Sequence, residues 1–173
     1  MIKLEPLTGH HNRSVFDCGT AALNAWLKQT ALQHQGKGIS RTFVAAVADQ
    51  DAVQAYIRLG YQDVSASTIL GYFALASAFV TFEQLPPSLA KRYPRQISVT
   101  RLGRLAVRTD MQAQGLGELL LLDAMGRARN AAQQVGSAGL LVDAKDTKAA
   151  RFYQKYGFQP SGEQALTLYL ALW

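Results

Sequence analysis

The sequence has a single cysteine and no long apolar run. With only Cys18 among 173 residues, no disulfide can form within the chain, and a zinc site built on several cysteines is excluded. No stretch approaches the roughly 18 uninterrupted apolar residues of a membrane-spanning helix, and the N-terminal residues lack the apolar core of an export signal. These absences predict a soluble protein that is not exported and stays in a reducing, cytoplasmic compartment.

Acidic residues are missing from one long segment. The chain contains 18 basic and 12 acidic residues, a net charge of +6, yet no acid lies between Glu83 and Asp110. A basic patch of this kind attracts a polyanion such as a nucleic acid. The alternative is that these side chains are solvated or paired within the fold. The six basic residues of the segment, which account for the whole excess, are Lys91, Arg92, Arg95, Arg101, Arg104 and Arg108.

No internal repeat, low-complexity tract or flexible linker divides the chain, so we expect one domain over residues 1–173. Strands are predicted at 2–7, 42–47, 68–82, 97–107, 140–142 and 166–172. Helices are predicted at 116–136 and 148–156, and another, capped near Asp17, runs to about Gln35. Pro86-Pro87 opens a short helical or irregular piece. This order predicts a three-layer α+β or α/β fold.

A turn with two glycines precedes the long predicted helix. In Gln112-Ala113-Gln114-Gly115-Leu116-Gly117, the glycines expose the N–H groups of the first helical turn, which suit a pyrophosphate. A plain helix start is the alternative. The turn lacks the lysine and hydroxyl of a P-loop, and Leu120 stands where a dinucleotide fingerprint needs its third glycine. The turn therefore argues against nucleotide hydrolysis and against a nicotinamide cofactor.

The same turn matches the pattern Q/R-x-x-G-x-G/A at Gln112, Gly115 and Gly117, and here the chain resembles the GCN5-related N-acetyltransferases, the GNAT family. The resemblance implies an α+β fold, with an α/β/α three-layer arrangement around a mixed, mostly antiparallel sheet that is splayed at the acetyl-CoA site. It also implies acetyl-CoA as cosubstrate and no metal. The implied acetyl-CoA contacts are Leu105, Ala106, Val107, Gln112, Gln114, Gly115, Leu116, Gly117, Glu118, Ala149 and Phe152.

Other segments resemble one subgroup of that family, the TacT-like toxins of bacterial toxin-antitoxin pairs, which acetylate aminoacyl-tRNA. This resemblance implies aminoacyl-tRNA, a ribbon-helix-helix antitoxin and a second copy of the chain as partners, in the bacterial cytoplasm and without a membrane. Residues 49–67 depart from the pattern, because they are longer than the usual connection between the flanking strands. The matching segments are Phe16-Asp17-Cys18-Gly19 with Leu23-Asn24 and Leu27, Ser40-Arg41-Thr42-Phe43-Val44, Leu102-Gly103-Arg104-Leu105-Ala106-Val107, Leu141-Val142-Asp143-Ala144-Lys145-Asp146 and Ala150-Arg151-Phe152-Tyr153.

The resemblance implies that Tyr153 is the general acid that protonates the departing CoA thiolate. The chemistry agrees, since a phenol with a pKa near 10 stays protonated at pH 7 while a thiol with a pKa near 8.5 leaves as an anion. The alternative is a packed aromatic residue, because Phe152, Tyr156 and Phe158 are close in sequence.

No base accompanies Tyr153 in the sequence. His10, His11 and His34 lie away from every motif, and we expect them at the surface. The missing base favours an α-amine as acceptor, because its deprotonation at pH 7 costs about 1 kcal/mol, against roughly 4 to 5 kcal/mol for a lysine amine. Positioning of the reactants and backbone N–H groups near the thioester carbonyl then supply most of the acceleration.

The leading prediction is a toxin that acetylates the α-amino group of aminoacyl-tRNA, blocks translation and is neutralised by an antitoxin. Two alternatives stay open: an acetyltransferase for a small amine or a protein N-terminus, and an inactive regulator that binds CoA or nucleic acid. Basic residues would hold the tRNA phosphates, with an affinity that falls as salt rises. The candidate tRNA contacts are Arg41, Lys91, Arg92, Arg95 and Arg104.

Overall fold

The computed structural model describes residues 1–162 and 164–173, which form seven strands and six α-helices. The strands are β1 (Ile2–Pro6), β2 (Arg41–Val47), β3 (Ile69–Thr81), β4 (Gln96–Val107), β5 (Gly139–Asp143), β6 (Gln159–Pro160) and β7 (Thr167–Ala171). The helices are α1 (Ala21–Gln29), α2 (Ala31–Gly36), α3 (Gln50–Arg58), α4 (Pro87–Ala90), α5 (Leu116–Gln134) and α6 (Thr147–Lys155).

The strands form one sheet in the order β1-β2-β3-β4-β5-β7-β6. Strand β1 is antiparallel to β2, and β7 is antiparallel to both β5 and β6, whereas β5 runs parallel to β4. The long helix α5 connects the parallel pair, as a crossover between parallel strands requires. The mixed, mostly antiparallel sheet predicted from the sequence is thus confirmed.

The chain divides into two compact units, so the single domain expected from the sequence stays a prediction. The first unit comprises Met1–Ala74 and Arg104–Asp123. Its aromatic core centres on the Tyr72 ring, which stacks on Trp26 at a centroid distance of 6.1 Å and meets the edge of Phe16 at 5.6 Å. Burying large side chains like these stabilises the fold by about 1.5–3 kcal/mol each.

The second unit comprises Leu75–Gly103 and Ala124–Trp173. Its core includes Tyr169 of β7, whose ring lies where a Cβ on Gly139 of β5 would have to be. Glycine is therefore required at 139, because any larger residue would displace the buried ring. Other core members of this unit are Val80, Leu85, Ile97, Val99 and Leu141.

The helix predicted from Asp17 to about Gln35 is wrong at its start and in its continuity. Helix α1 begins at Ala21, and the Asp17 carboxylate instead accepts hydrogen bonds from the Gly19 N–H and the Asn24 side chain, both at 2.9 Å. Helices α1 and α2 are separated at Thr30, whose φ of −122° lies outside the helical range. Thr30 is β-branched, and such residues are weaker helix formers.

Residues 49–67 contain a helix that the sequence pattern did not predict. The Asp49 side chain caps α3 by accepting a hydrogen bond of 2.8 Å from the Ala52 N–H. Ala52, Val53 and Tyr56 are buried, at the spacing of one helix face. The cap and this short apolar periodicity were readable signals.

The later elements follow the prediction more closely. Gly157 ends α6 with a φ of +97°, the left-handed conformation expected there. Helix α5 begins at Leu116 as predicted, but Leu119 and Ala131, which the periodicity places on its inner face, are exposed. The buried inner face includes Leu121 and Met125, together with Leu120, Ala124 and Ala128, which follow the same apolar periodicity.

Candidate active site

The candidate coenzyme turn lies between the end of β4 and the start of α5, within the first unit. A single 3₁₀ turn at Thr109–Met111 follows the strand, and Gln112–Gly115 leads into Leu116. Gly115 has a φ of +86°, where L side chains are strained, yet a Cβ there would meet no atom within 4 Å. The backbone conformation therefore favours glycine, and the space beside it is open.

Gln112 shapes this turn with its side chain. Its amide nitrogen donates to the carbonyl oxygens of Cys18 and Val107, both at 3.0 Å. Both amide hydrogens are thereby engaged, so a ligand contact from Gln112 would have to come from other atoms of the residue. The signature glutamine links the turn to the end of β4 and to the segment before α1.

The other predicted coenzyme residues of the first unit flank this turn. Parallel pairing of β4 with β5 runs over Thr100–Leu102, and β4 continues past it to Val107. Ala106 is buried, while Leu105 and Val107 are partly exposed. Leu116, Gly117 and Glu118 form the first turn of α5, where helix geometry leaves N–H groups without intrahelical acceptors.

Tyr153 lies on α6 in the second unit, with 7% of its surface exposed. Its ring meets Phe152 and Phe158 edge-on, at centroid distances of 5.3 and 5.6 Å. Burial raises the pKa of the Tyr153 phenol to about 12, because the apolar surroundings disfavour the phenolate. Tyr153 is thus a packed aromatic residue and also a phenol that keeps its proton at neutral pH.

Ala149, a predicted coenzyme contact, lies in the first turn of α6. The Asp146 carboxylate caps this helix by accepting a hydrogen bond of 2.8 Å from the Ala149 N–H. A contact from Ala149 to a ligand would therefore use its methyl group. Phe152, on the same helix, is partly exposed and its ring meets Tyr156 edge-on at 5.3 Å, as residues four apart on one helix face can do.

Three of the predicted tRNA contacts, Lys91, Arg92 and Arg95, are exposed and follow α4 in the second unit. The Arg92 guanidinium lies 6.0 Å from the ring centroid of Trp173, which is 67% exposed. The indole N–H of Trp173 donates to the Tyr93 hydroxyl at 2.6 Å, which holds the ring in place. No local sequence signal marks Trp173 as a neighbour of these cations.

The remaining cations of the acid-free segment are engaged within the fold. Arg101 pairs with Asp143 at 3.1 Å, and Arg108 pairs with Asp110 at 2.8 Å. Arg104, a predicted tRNA contact, is partly buried with its guanidinium 4.2 Å from the Trp26 ring centroid. Burial lowers the pKa of Arg104, and nearby Tyr72 offsets part of this effect. Three of the six cations in the acid-free segment are thus engaged within the fold, as the alternative to a free basic patch predicts.

Arg41 and the three histidines complete the sequence candidates. Arg41 is exposed at the start of β2 in the first unit, and His10 is exposed as expected. The surface prediction for His11 is wrong: only 7% of it is exposed, because its ring bonds to Glu5 at 2.8 Å and to the Thr8 N–H at 3.0 Å. His34 is partly buried and meets the edge of Trp26.

Membrane-spanning helices and clustered metal ligands are both absent from the described residues, 1–162 and 164–173. No helix there is long and apolar enough to span a membrane. No group of three or more His, Cys, Asp or Glu side chains in this part of the chain is placed to hold a metal ion.

A family model described as an acetyltransferase (GNAT) domain matches residues 65–160, which include the turn and Tyr153. The chain belongs to the GNAT acetyltransferase family. The predicted family and enzyme class are thereby confirmed.

Curated relatives extend the likeness beyond the matched domain. A tRNA-acetylating toxin from Mycobacterium tuberculosis strain H37Rv is 31% identical over 157 residues, which cover 91% of this chain and 84% of that protein. A protein named "Probable toxin TacT" from Sinorhizobium fredii is 24% identical, over 98% of this chain and 90% of its own length. The resemblance to the TacT-like subgroup is confirmed.

Solved structures of toxins share the fold. A mutant of KacT has a TM-score of 0.84 and 27% identity, covering 99% of this chain and 95% of that one. AtaT complexed with acetyl-methionyl-tRNAfMet has a TM-score of 0.82 and 28% identity, with coverages of 99% and 95%. An AtaT mutant bound to acetyl-CoA and the C-terminus of the antitoxin AtaR has a TM-score of 0.75 and 27% identity, with coverages of 99% and 93%.

Proposed function

We propose that this protein is a toxin that transfers the acetyl group of acetyl-CoA to the α-amino group of aminoacyl-tRNA and thereby blocks translation. One observation carries the proposal: the likeness to the M. tuberculosis tRNA-acetylating toxin extends over 91% of the chain, whereas the acetyltransferase family model matches residues 65–160. The relationship therefore includes the N-terminal segments that lie outside the acetyltransferase model.

The coenzyme turn fits the diphosphate of acetyl-CoA. The open space beside Gly115 would admit phosphate oxygens, and the first N–H groups of α5, with the positive end of the helix dipole, would favour their charge. The backbone of Leu105–Val107, beyond the β4–β5 paired stretch, would hold the pantetheine arm. Acetyl-CoA, when bound, supplies an activated acetyl thioester with a thiol leaving group.

Tyr153 would act as the hydrogen-bond donor at its phenolic oxygen. Because its pKa is raised to about 12, the phenol is protonated throughout the physiological pH range. A phenol of this kind donates a hydrogen bond to a leaving thiolate and so stabilises its charge, while the thiolate, whose conjugate acid has a pKa near 8.5, takes its proton finally from solvent. The edge-on packing against Phe152 and Phe158 fixes the ring, so that the hydroxyl is held in one direction.

The acceptor chemistry suits a site with no assigned base. An α-amine with a pKa of about 7.7–8.0 is partly deprotonated at pH 7, so positioning supplies most of what the attack needs. Lys91, Arg92 and Arg95 would hold tRNA phosphates, and the exposed Trp173 ring beside Arg92 offers a surface on which a base can stack.

The proposal includes partners and a place of action. An antitoxin of the ribbon-helix-helix class would neutralise the toxin, and the AtaT complex with the AtaR C-terminus supports an antitoxin partner. The toxin would act as a homodimer in the bacterial cytoplasm, where charged tRNA is found.

The test is transfer of radiolabelled acetyl from acetyl-CoA to tRNA. Charged tRNA should be labelled, whereas the same tRNA after deacylation should not. Charged tRNA whose α-amine has already been acetylated chemically is the matched control and should take no label. Equal labelling of charged and deacylated tRNA would contradict the proposal. Rapid acetylation of small amines or peptide N-termini, unaffected by tRNA, would favour the alternative acetyltransferase.

A further inference from the structure

The segment that departs from the subgroup pattern lies directly against the coenzyme turn. The Tyr61 hydroxyl donates a hydrogen bond of 3.0 Å to the side-chain oxygen of Gln114. The Arg108 guanidinium donates to the Gln62 carbonyl oxygen at 2.9 Å. Residues 61 and 62 follow α3, the helix that makes this connection long. The segment at residues 49–67 therefore contacts the turn at two points.

The same two side chains, Gln114 and Arg108, also form hydrogen bonds within the turn. The Gln114 amide nitrogen reaches the Asp110 carbonyl at 3.4 Å, while its oxygen receives the Tyr61 hydroxyl. Arg108 contacts the Asp110 carboxylate at 2.8 Å with the same nitrogen that contacts Gln62. Gln114 is therefore held from both ends of its amide, and only the Tyr61 end comes from outside the turn.

Gln114 lies between two residues with unusual backbone conformations. Ala113 has a φ of +61° and Gly115 a φ of +86°. An alanine in the left-handed region is disfavoured and persists only where surrounding contacts hold it. Pinning the side chain of the residue between them restrains both, so the Tyr61 contact opposes relaxation of the turn.

Tyr61 is itself well anchored for this task. Its ring packs edge-on against Tyr56 at a centroid distance of 5.6 Å, and Tyr56 is buried on α3. Helix α3 thus provides a fixed support for the hydroxyl that reaches Gln114.

We propose that Tyr61 is a positioning residue, which holds the coenzyme turn in its ligand-accepting conformation and through which the segment at residues 49–67 sets affinity for acetyl-CoA. This inference rests on the proposed function, in which the turn binds the coenzyme diphosphate. A turn that adopts the binding conformation for only part of the time binds its ligand more weakly in proportion. Tyr61 acts through Gln114, so its loss alters coenzyme binding and leaves the chemical step unchanged.

The test is calorimetric titration of the full-length protein with coenzyme A. Tyr61→Phe keeps the ring and removes one hydrogen bond, so the Kd should rise about two- to tenfold. The KM for acetyl-CoA should rise with it, while kcat at saturating acetyl-CoA stays at the wild-type value. Tyr56→Phe is the matched control, because it removes the hydroxyl of the neighbouring ring and leaves the Tyr61–Gln114 bond in place; its Kd should not change.

A double-mutant cycle identifies the route of the effect. In a Gln114→Ala background, Tyr61→Phe should cause no further loss of coenzyme affinity. Unchanged affinity of Tyr61→Phe, or a full additional loss in the Gln114→Ala background, would overturn the positioning role.

Gly115→Ala separates the role of Tyr61 from the role of the turn itself. If that variant binds coenzyme A like the wild type, the turn is not the coenzyme site, and the coenzyme placement within the proposed function fails. If it loses affinity while Tyr61→Phe does not, only the role of Tyr61 fails.

Discussion

The coenzyme turn and the basic segment after α4 are both suited to phosphate, but they are built differently. In the turn, Gln112 and Gln114 are hydrogen-bonded to surrounding groups, and Gly115 is in a left-handed conformation. In the basic segment, Lys91 and Arg92 are exposed side chains. A rigid binding site raises the affinity for a small diphosphate, because less conformational freedom is lost on binding. A long polyanion is bound through charge, which tolerates side-chain motion.

Tyr153→Phe should give the largest effect, and it sharpens the comparison because it belongs to neither region. Removing a positioned proton donor should lower kcat about 10²- to 10⁴-fold. The Kd values for coenzyme A and for charged tRNA should stay unchanged, as measured by calorimetry and filter binding. Wild-type transfer by this variant would contradict the donor role, and no transfer by either form would favour the inactive regulator.

Gly115→Ala should disrupt the coenzyme turn and leave the basic segment after α4 unaffected. Alanine at a φ of +86° costs about 1–2 kcal/mol, and its methyl group would enter the space proposed for the diphosphate. We expect coenzyme A to bind at least about tenfold more weakly by calorimetry. Gly126→Ala, within the helix α5 that follows the turn, is the control, since a Cβ there also meets no atom within 4 Å. It should bind coenzyme normally and unfold at a higher temperature.

Combined replacement of Lys91, Arg92 and Arg95 by glutamine should remove the charge of the basic segment and leave the coenzyme turn unaffected. The affinity for tRNA should fall about tenfold, and the slope of log K against log salt should become shallower by roughly 0.7 to 0.9 for each phosphate that is no longer neutralised. Arg101→Gln, which removes a cation already paired with Asp143, is the control and should leave the slope unchanged. A triple variant with a wild-type slope would place the tRNA elsewhere.

The pH dependence of acetyl transfer should report the acceptor and not Tyr153. Deprotonation of an α-amine with a pKa of about 7.7–8.0 should raise the single-turnover rate about six- to tenfold between pH 7 and 9. The pKa of Tyr153 is raised to about 12, so its proton is lost only above this window and no falling limb should appear. A decline below pH 9 in the wild type that is absent from Tyr153→Phe would contradict that assignment.

Local patterns and motif spacing predicted the parts of the molecule that depend on neighbouring residues. The left-handed cap at Gly157, the start of α5 at Leu116 and most strand positions follow from glycine, periodicity and β-branched composition. The motif that contains Tyr153 and the glycine turn are each continuous in sequence. The sequence alone therefore showed that both match the pattern of one family.

Contacts between residues that are distant in the chain could not be predicted from the sequence. Tyr61 and Gln114 lie 53 positions apart, and nothing local marks them as partners. Arg104 is a predicted tRNA contact although it packs on Trp26, and His11 is predicted at the surface although Glu5 and Thr8 hold it inside. Side-chain direction and tertiary pairing decide these cases, and one sequence specifies neither.

The most direct test of the central claim is a crystal structure of this protein with coenzyme A. We expect the diphosphate to lie against the backbone N–H groups at Gly115–Gly117 and the coenzyme sulfur to lie within hydrogen-bond distance of the Tyr153 hydroxyl. A diphosphate bound away from that turn, or a sulfur out of reach of the phenol, would contradict the account.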